Sequence, residues 1–342
     1  MMTTREKTAL VLGANGGVGG EIARALLQRG WMVQALARDP ASASRRWDGE
    51  GTPEWIKGDA MDGAAVMNAA EGASLIVHAV NPPGYRDWDK LVLPMLDNTI
   101  AAAKAGGATI VLPGTVYNFG SDAFDNPTET APQNPVTRKG KIRVEMEKRL
   151  RDASASGARS LIVRCGDFFG PRAANNWFSQ GLVKPGKPVT SISYPGNKGV
   201  GHQWAYLPDV GETVAQLVEH RDQFEPFAVF HMEGHWDGDG TRMIEAIRYA
   251  AGNPGISARR FPWWALVLAS PFVTLFREMR EMRYLWSVPL RMRNTKLVKV
   301  LGAEPHTDWD VAVRTTLQAM GCLASPPALP HSSPSVTAAS AR

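Results

Sequence analysis

Gly13, Gly16 and Gly19 stand in the spacing GxxGxxG between an apolar run and a helical pattern. The run from Thr8 to Leu12 reads as a buried strand. The segment from Glu21 to Gly30 reads as a helix, with Val18, Ile22, Ala25 and Leu26 on one face and Gly30 placed to end it. A strand feeding a glycine turn and a helix N-terminus is an anion cradle. Backbone N–H groups and the positive end of the helix dipole point at the ligand, and missing Cβ atoms let a pyrophosphate come close. Gly13, Asn15, Gly16, Gly17, Val18 and Gly19 are therefore candidate contacts for a dinucleotide. Glycine triplets also occur in ordinary turns; the strand before and the helix after give this one its meaning.

The next strand ends Ala35-Leu-Ala-Arg-Asp39. An acidic residue about 20 positions past the glycine turn would bind the ribose hydroxyls of NAD. Ala37 stands there, and Arg38 follows. A guanidinium at that place can pair with the 2′-phosphate of NADP. NADP is the expected form, with NAD possible because Asp39 can still reach a ribose. Gly58-Asp59-Ala60-Met-Asp62 follows a third strand. Asp59 and Ala60 are candidate adenine contacts, and Asp62 can cap the helix that follows. The strand Leu75-Ile-Val-His78 runs into Ala79, Val80 and Asn81, which should pass beside the cofactor. His78, inside an apolar run, reads as a satisfied core histidine.

Strand-like runs at 8–13, 31–37, 74–80, 108–113 and 160–165 alternate with helical patterns at 18–29, 63–71, 88–105 and 138–156. That alternation implies an α/β fold, a Rossmann-type doubly wound parallel sheet with its ligand at the carboxyl ends of the strands. The expected division is a cofactor domain over 1–167 and a mixed region over 168–322. The latter returns to the core at about 206–234 and otherwise forms a smaller substrate lobe. The tail over 323–342, rich in Pro, Ser and Ala, reads as disordered.

The 342 residues carry a formal charge of +5, with 44% hydrophobic and 21% charged residues, an ordinary soluble composition. Nothing before Thr8 resembles a signal peptide, and Cys165 and Cys322 fit a reducing compartment, so a cytoplasmic location is expected. Basic residues are scattered, which argues against nucleic acid. The densest cluster, Arg277 to Lys299, reads as a solvated helix face, with an anionic surface partner as the alternative. Phe261 to Phe276 is apolar but short and broken by Pro262 and Pro271, so no transmembrane helix is expected. A membrane-facing or lid-like helix stands beside plain packing there. His231, His235 and Asp237 lack further ligands at suitable spacing, and no metal is expected.

The glycine turn, Asp59, the His78-Ala-Val-Asn81 strand end, Thr115-Val-Tyr117, Lys141 with Glu145, Arg164-Cys-Gly-Asp-Phe-Phe-Gly-Pro171 and Tyr206-Leu-Pro-Asp209 together resemble the extended short-chain dehydrogenase/reductases of the NAD-dependent epimerase/dehydratase type. The resemblance covers about residues 5–220. It implies a Ser/Thr, a Tyr and a Lys at the catalytic position, the last two as YxxxK. The lysine would hold the nicotinamide ribose and lower the tyrosine pKa for proton transfer. Placed on Lys141 and Glu145, that pattern puts Thr137 at the tyrosine and Pro113 at the serine. The member is therefore atypical, with a degenerate triad.

Three readings follow. The chain is an atypical reductase in which Lys141 keeps its role and Tyr117, Thr115 or Tyr85 supplies the proton. Or it binds NADP(H) without turnover, as a regulatory or assembly protein. Or the register differs and another residue fills the tyrosine role. An oxidoreductase acting on a small carbonyl, hydroxyl or enone leads. A nucleotide-sugar epimerase or dehydratase is a further alternative, weakened by Asp167, whose carboxylate would repel a diphosphate. The partners expected are a small-molecule substrate and a possible second copy in a homodimer. Asn175, Asn176, Trp177, Phe178, His202, Trp204, Trp263, Trp264 and Trp286 offer aromatic and amide groups for an apolar ligand, with core packing the default for most. Asp209 looks placed to cap a helix over Val210–His220.

Overall fold

The computed structural model describes residues 7–82, 87–124, 126–173, 176–272 and 274–323. Tyr85, Asn175 and the tail from 324 onward, each singled out above, lie outside them. The strands are β1 Thr8–Leu12, β2 Met32–Ala37, β3 Glu54–Lys57, β4 Leu75–His78, β5 Thr109–Thr115, β6 Arg159–Cys165, β7 Asp167–Phe169, β8 Ser191–Tyr194, β9 His202–Tyr206, β10 Phe227–His231, β11 His235–Asp237 and β12 Ser257–Arg260. The helices are α1 Gly17–Gln28, α2 Pro40–Arg45, α3 Gly63–Ala69, α4 Trp88–Gly106, α5 Arg138–Ser154, α6 Leu207–Glu219, α7 Arg242–Ala250, α8 Trp263–Ala269, α9 Thr274–Glu281, α10 Thr295–Leu301 and α11 Trp309–Ala319.

Among the described residues β10, β6, β5, β4, β1, β2 and β3 form one sheet in that order, and every pairing in it is parallel. The chain runs outward from β1 to β3, returns to lay β4 on the other side of β1, and continues through β5, β6 and β10. The crevice beyond the ends of β1 and β4 is thus the point where strand order reverses, the usual ligand position in such sheets. One face is covered by α1 and α6, where Ile22 and Leu26 meet Val210, Val214 and Leu217. The other is covered by α3, α4 and α5, where Val92, Leu96, Ile142 and Leu150 pack on Leu10, Leu12 and Ile110. A separate cluster of Phe169, Phe178, Trp204, Trp286, Ile247 and Leu317 sits beyond the carboxyl edge, around the small sheets β11-β9-β7 and β12-β8.

The helix bounds have local causes. The Asp62 carboxylate accepts from the N–H groups of Ala64 and Ala65 and starts α3, as expected. Asp39 does the same for α2, accepting from Ser42 N at 3.0 Å. Asp209 does not act as a cap: the helix begins earlier, at Leu207 with Pro208 in its first turn. Its carboxylate instead holds Thr307, taking the backbone N–H at 2.9 Å and the hydroxyl at 2.6 Å. No local pattern announces this role, because the partner lies 98 residues away.

α5 is fixed in rotation by one buried ion pair. Arg164 on β6 donates from Nε to Glu147 Oε1 at 2.9 Å and from Nη2 to Oε2 at 2.6 Å. Asn118 and Gln133 give that carboxylate further donors. Residues four apart on a helix share a face, so anchoring Glu147 turns Arg143 and Lys139 the same way.

Candidate active site

A cleft of about 490 Å³ opens at the carboxyl ends of β1, β2, β4 and β5. Its cofactor side is the glycine turn. Gly13 has φ of +94°, and a Cβ there would stand 2.6 Å from the Ala79 carbonyl oxygen. A Cβ on Gly19 would lie 2.4 Å from the Gly13 carbonyl oxygen. Both positions admit only glycine. Gly16 caps α1 without a side-chain acceptor, so the first-turn N–H groups of the helix are presented to whatever lies in the cleft. Gly13, Asn15, Gly16, Gly17 and Val18 all line it. The cradle fits a pyrophosphate, and that fit is a property of the backbone.

The other cofactor candidates divide. Arg38 lines the cleft, whereas the Asp39 carboxylate is turned onto α2. Ala79, Val80 and Asn81 line it, with Asn81 Oδ1 accepting from the Trp88 indole. Asp59 and Ala60 are not among the lining residues. Asp59 accepts from Met61 N at 3.0 Å, and the Ala60 carbonyl accepts from Asn98. His78 also lines the cleft, yet burial and the nearby Arg143 charge push it down to about 3, so it is neutral at ordinary pH. Its Nδ1 lies 2.8 Å from the Thr99 hydroxyl, which itself donates to Met95 O.

The catalytic candidates are rearranged. Lys141 is exposed and is not among the residues lining the cleft. Lys139 and Arg143, one turn apart, line it instead. Thr137, the residue aligned above with the missing tyrosine, is the N-cap of α5 and accepts from Gly140 N at 2.9 Å. The series Lys139, Arg143, Glu147 and the series Lys141, Glu145 differ by two residues, roughly half a helical turn. Only the first faces the cofactor side, because Arg164 holds Glu147. The signal that could have found it was the buried partner Arg164, already present in the Arg164–Pro171 motif.

Lys139 is buried against α9. Its Nζ lies 3.1 Å from Glu278 Oε2 and donates to the Glu278 carbonyl at 3.2 Å. Burial lowers its ammonium pKa below the ordinary lysine range, and the Glu278 carboxylate opposes that shift. The Arg143 guanidinium donates to Pro113 O at 3.2 Å and lies over the Trp88 ring. Thr115 is buried and lines the cleft, its hydroxyl accepting from Tyr117 N. Tyr117 also lines the cleft, and its hydroxyl donates to Asp167 Oδ1 at 3.5 Å. The other Asp167 oxygen is 2.9 Å from His202 Nε2, and the His202 ring stacks on Trp286 at 3.7 Å.

The substrate side is walled by Asn176, Trp177 and Gln180 and by Glu278, Met279 and Met282 from the α9 region. Trp204 and Trp286 are core residues, and Trp264 is 71% exposed. His231, His235 and Asp237 do not converge. His231 meets Arg164 at 3.0 Å, and Asp237 accepts from the N–H groups of Gly240, Arg242 and Met243. His235 instead comes close to Asp209 and His306, with candidate ligand atoms within 4.8 Å. Both His235 and Asp209 are engaged by Thr307, which makes the group a latch for the chain after Glu304.

A family model described as NAD(P)H-binding matches residues 13–179. No curated protein matches the chain. Among solved structures, a UDP-glucose 4-epimerase of Thermus thermophilus in complex with NAD is 20% identical, with a TM-score of 0.67 over 92% of this chain and 98% of that one. A UDP-glucose-4-epimerase of Stenotrophomonas maltophila with bound NAD and formylated UDP-arabinopyranose is 16% identical, with a TM-score of 0.70 over 92% and 98%. A putative epimerase of Burkholderia cenocepacia J2315 is 18% identical, with a TM-score of 0.69 over the same shares. The likenesses are of fold: the chain folds as the Rossmann-type parallel sheet of these structures, and the glycine cradle at its switch point lies within the stretch that matches the NAD(P)H-binding model.

Proposed function

We propose that the chain is an NADP(H)-dependent oxidoreductase acting on a small, largely apolar carbonyl, hydroxyl or enone compound. The observation that carries this reading is the continuity of one cleft, from the glycine cradle to Lys139 under a wall of Trp177, Met279 and Met282. A bound nicotinamide would supply or accept the hydride. Lys139 holds a proton at Nζ for the oxygen of the reacting carbonyl and takes it back in the reverse direction. Arg143, with its positive charge on the same helix face, favours the developing alkoxide and would hold the ribose hydroxyls of a bound cofactor. Trp177 and the two methionines exclude water. Asp167 and Glu278 put carboxylates at the substrate end, which disfavours a diphosphate-bearing sugar nucleotide.

The test is a fluorescence titration with NADPH and NADH, followed by a screen of apolar ketones, aldehydes and enones for NADPH oxidation. UDP-sugar interconversion is assayed in parallel. Turnover of a carbonyl or enone supports the reading. Binding without any turnover favours a regulatory role, and interconversion of a UDP-sugar favours an epimerase.

The assignment of Arg38 makes a separate prediction. Arg38→Ala should weaken NADP(H) by about tenfold or more and leave NAD(H) within about twofold, since only the former loses a charge-assisted pair. An unchanged NADPH titration would sink it. Lys141→Ala should leave turnover within about twofold, as expected of an exposed side chain outside the cleft.

A further inference from the structure

α8 and α9 form a short helical hairpin at the substrate end of the cleft. Its inner side is committed: Met279 and Met282 wall the cleft, and Trp263 donates to Pro195 O and packs on Trp177 and Phe261. Its outer side is apolar. Trp264 and Leu268, one turn apart on α8, are 71% and 68% exposed, and Phe272 in the connection to α9 is 88% exposed. Other large exposed hydrophobic residues among those described, such as Met32, Val136 and Tyr249, are scattered over unrelated elements. Scattered exposure is ordinary; three neighbouring side chains of this size mark a docking surface.

Exposed arginines flank the patch along the chain. Arg259 and Arg260 on β12, Arg277 and Arg280 on α9, and Arg283 just after it are all exposed. The acidic residues of the same segment are turned inward. Glu278 pairs with Lys139 and Arg138 and lies 3.6 Å from Arg277 Nε, which stays 61% exposed, and Glu281 accepts from Lys139 N. The exposed charge of this stretch is therefore mainly positive, on both sides in sequence of an apolar centre that begins with a tryptophan. No helix of the described residues is long and apolar enough to cross a membrane. The combination is that of a segment lying in the plane of a bilayer surface, with apolar side chains in the acyl boundary and arginines on lipid phosphates. A second copy of the chain fits this face poorly, because a two-fold contact would bring the same five arginines of each copy together.

We propose that the α8–α9 hairpin docks the protein on an anionic lipid surface through Trp264, Leu268 and Phe272, with Arg259, Arg260, Arg277, Arg280 and Arg283 contacting the headgroups. The proposal concerns the surface alone and stands whether or not the cleft turns over a substrate. The full chain is sedimented with vesicles of phosphatidylcholine containing about one-third phosphatidylglycerol, and with pure phosphatidylcholine vesicles.

The expected result is co-sedimentation with the anionic vesicles, at least about tenfold weaker on the neutral ones and weakening with salt. The triple variant Trp264→Ser, Leu268→Ser, Phe272→Ser should lose about tenfold or more of that binding. Its NADPH titration should match that of the unaltered chain, which certifies the fold. Arg259→Ala with Arg260→Ala should lower affinity for anionic vesicles and flatten the salt dependence. Three outcomes overturn the proposal. The unaltered chain stays in the supernatant with both vesicle types. Or the triple variant binds as well as the unaltered chain. Or the triple variant abolishes a dimer seen by light scattering while vesicles are ignored.

Discussion

Glu147→Ala should cost the fold about 3–5 kcal/mol, read as a shift of the urea midpoint at constant slope. The reason is asymmetry. Arg164 is fully buried and meets Glu147 through two short hydrogen bonds. Removing the carboxylate leaves an uncompensated guanidinium, with Phe119 beneath it and His231 beside it. His231 cannot compensate: burial and the Arg164 charge hold it down to about 3, so it stays neutral. Asn118 and Gln133 lose an acceptor as well. Against a total stability of roughly 5–15 kcal/mol, such a loss is a large fraction. Replacing both partners by methionine should recover most of it, because a well-packed apolar pair leaves no charge behind. A Glu147→Ala shift below about 1 kcal/mol would show that water or a neighbour satisfies Arg164, and the account of how α5 is held would fail.

The same ion pair explains what the sequence concealed. The cofactor half was legible because its signals are local. A strand, a glycine turn and a helix adjoin in sequence, and a missing Cβ has the same meaning wherever the turn sits. The parallel sheet was legible for a similar reason: fully apolar runs such as Leu75–Val77 alternate with amphipathic helices. The facing of α5 was not legible in this way. Lys139 and Lys141 offer two registers, Glu145 and Glu147 each follow at plausible spacing, and an arginine in place of the expected lysine hides the series that lines the cleft. Only a contact from another strand, Arg164 to Glu147, decides between them. Asp59, read as an adenine contact from its place after β3, also closes a local turn onto Met61, because its carboxylate lies two residues before an available N–H.

The C-terminal half was less legible still. Its order rests on long-range contacts such as Asp209 to Thr307 and Lys139 to Glu278, 98 and 139 residues apart. Phe261 to Phe276 could be read as packed, lid-like or membrane-facing, because composition alone does not say which face of a short helix is covered. The structure assigns faces: Leu266 is buried, and Trp264 and Leu268 are exposed.

Lys139→Arg should lower reductive turnover by about 10²–10⁴-fold while leaving NADPH binding within about threefold. Arginine can keep the charge pair with Glu278, so the buried carboxylate is not orphaned and the fold is retained. What it loses is the proton: a guanidinium does not deprotonate in the working range, so it cannot deliver a proton to an alkoxide. The pH dependence gives a second readout. Burial lowers the Lys139 pKa, so the ammonium that donates in the reductive direction is lost as pH rises through that lowered value. Reduction should therefore fall with rising pH below the range of an ordinary lysine, and oxidation, which needs the neutral amine, should rise over the same interval. Glu278→Gln removes the carboxylate that favours the ammonium, so both profiles should move to lower pH. In Lys139→Arg the residual rate should show no such limb. If Lys139→Arg keeps the original rate and pH profile, Lys139 is not the proton donor. Among the described residues the phenol lining the cleft is Tyr117, against Asp167, and it then becomes the group to remove as Tyr117→Phe.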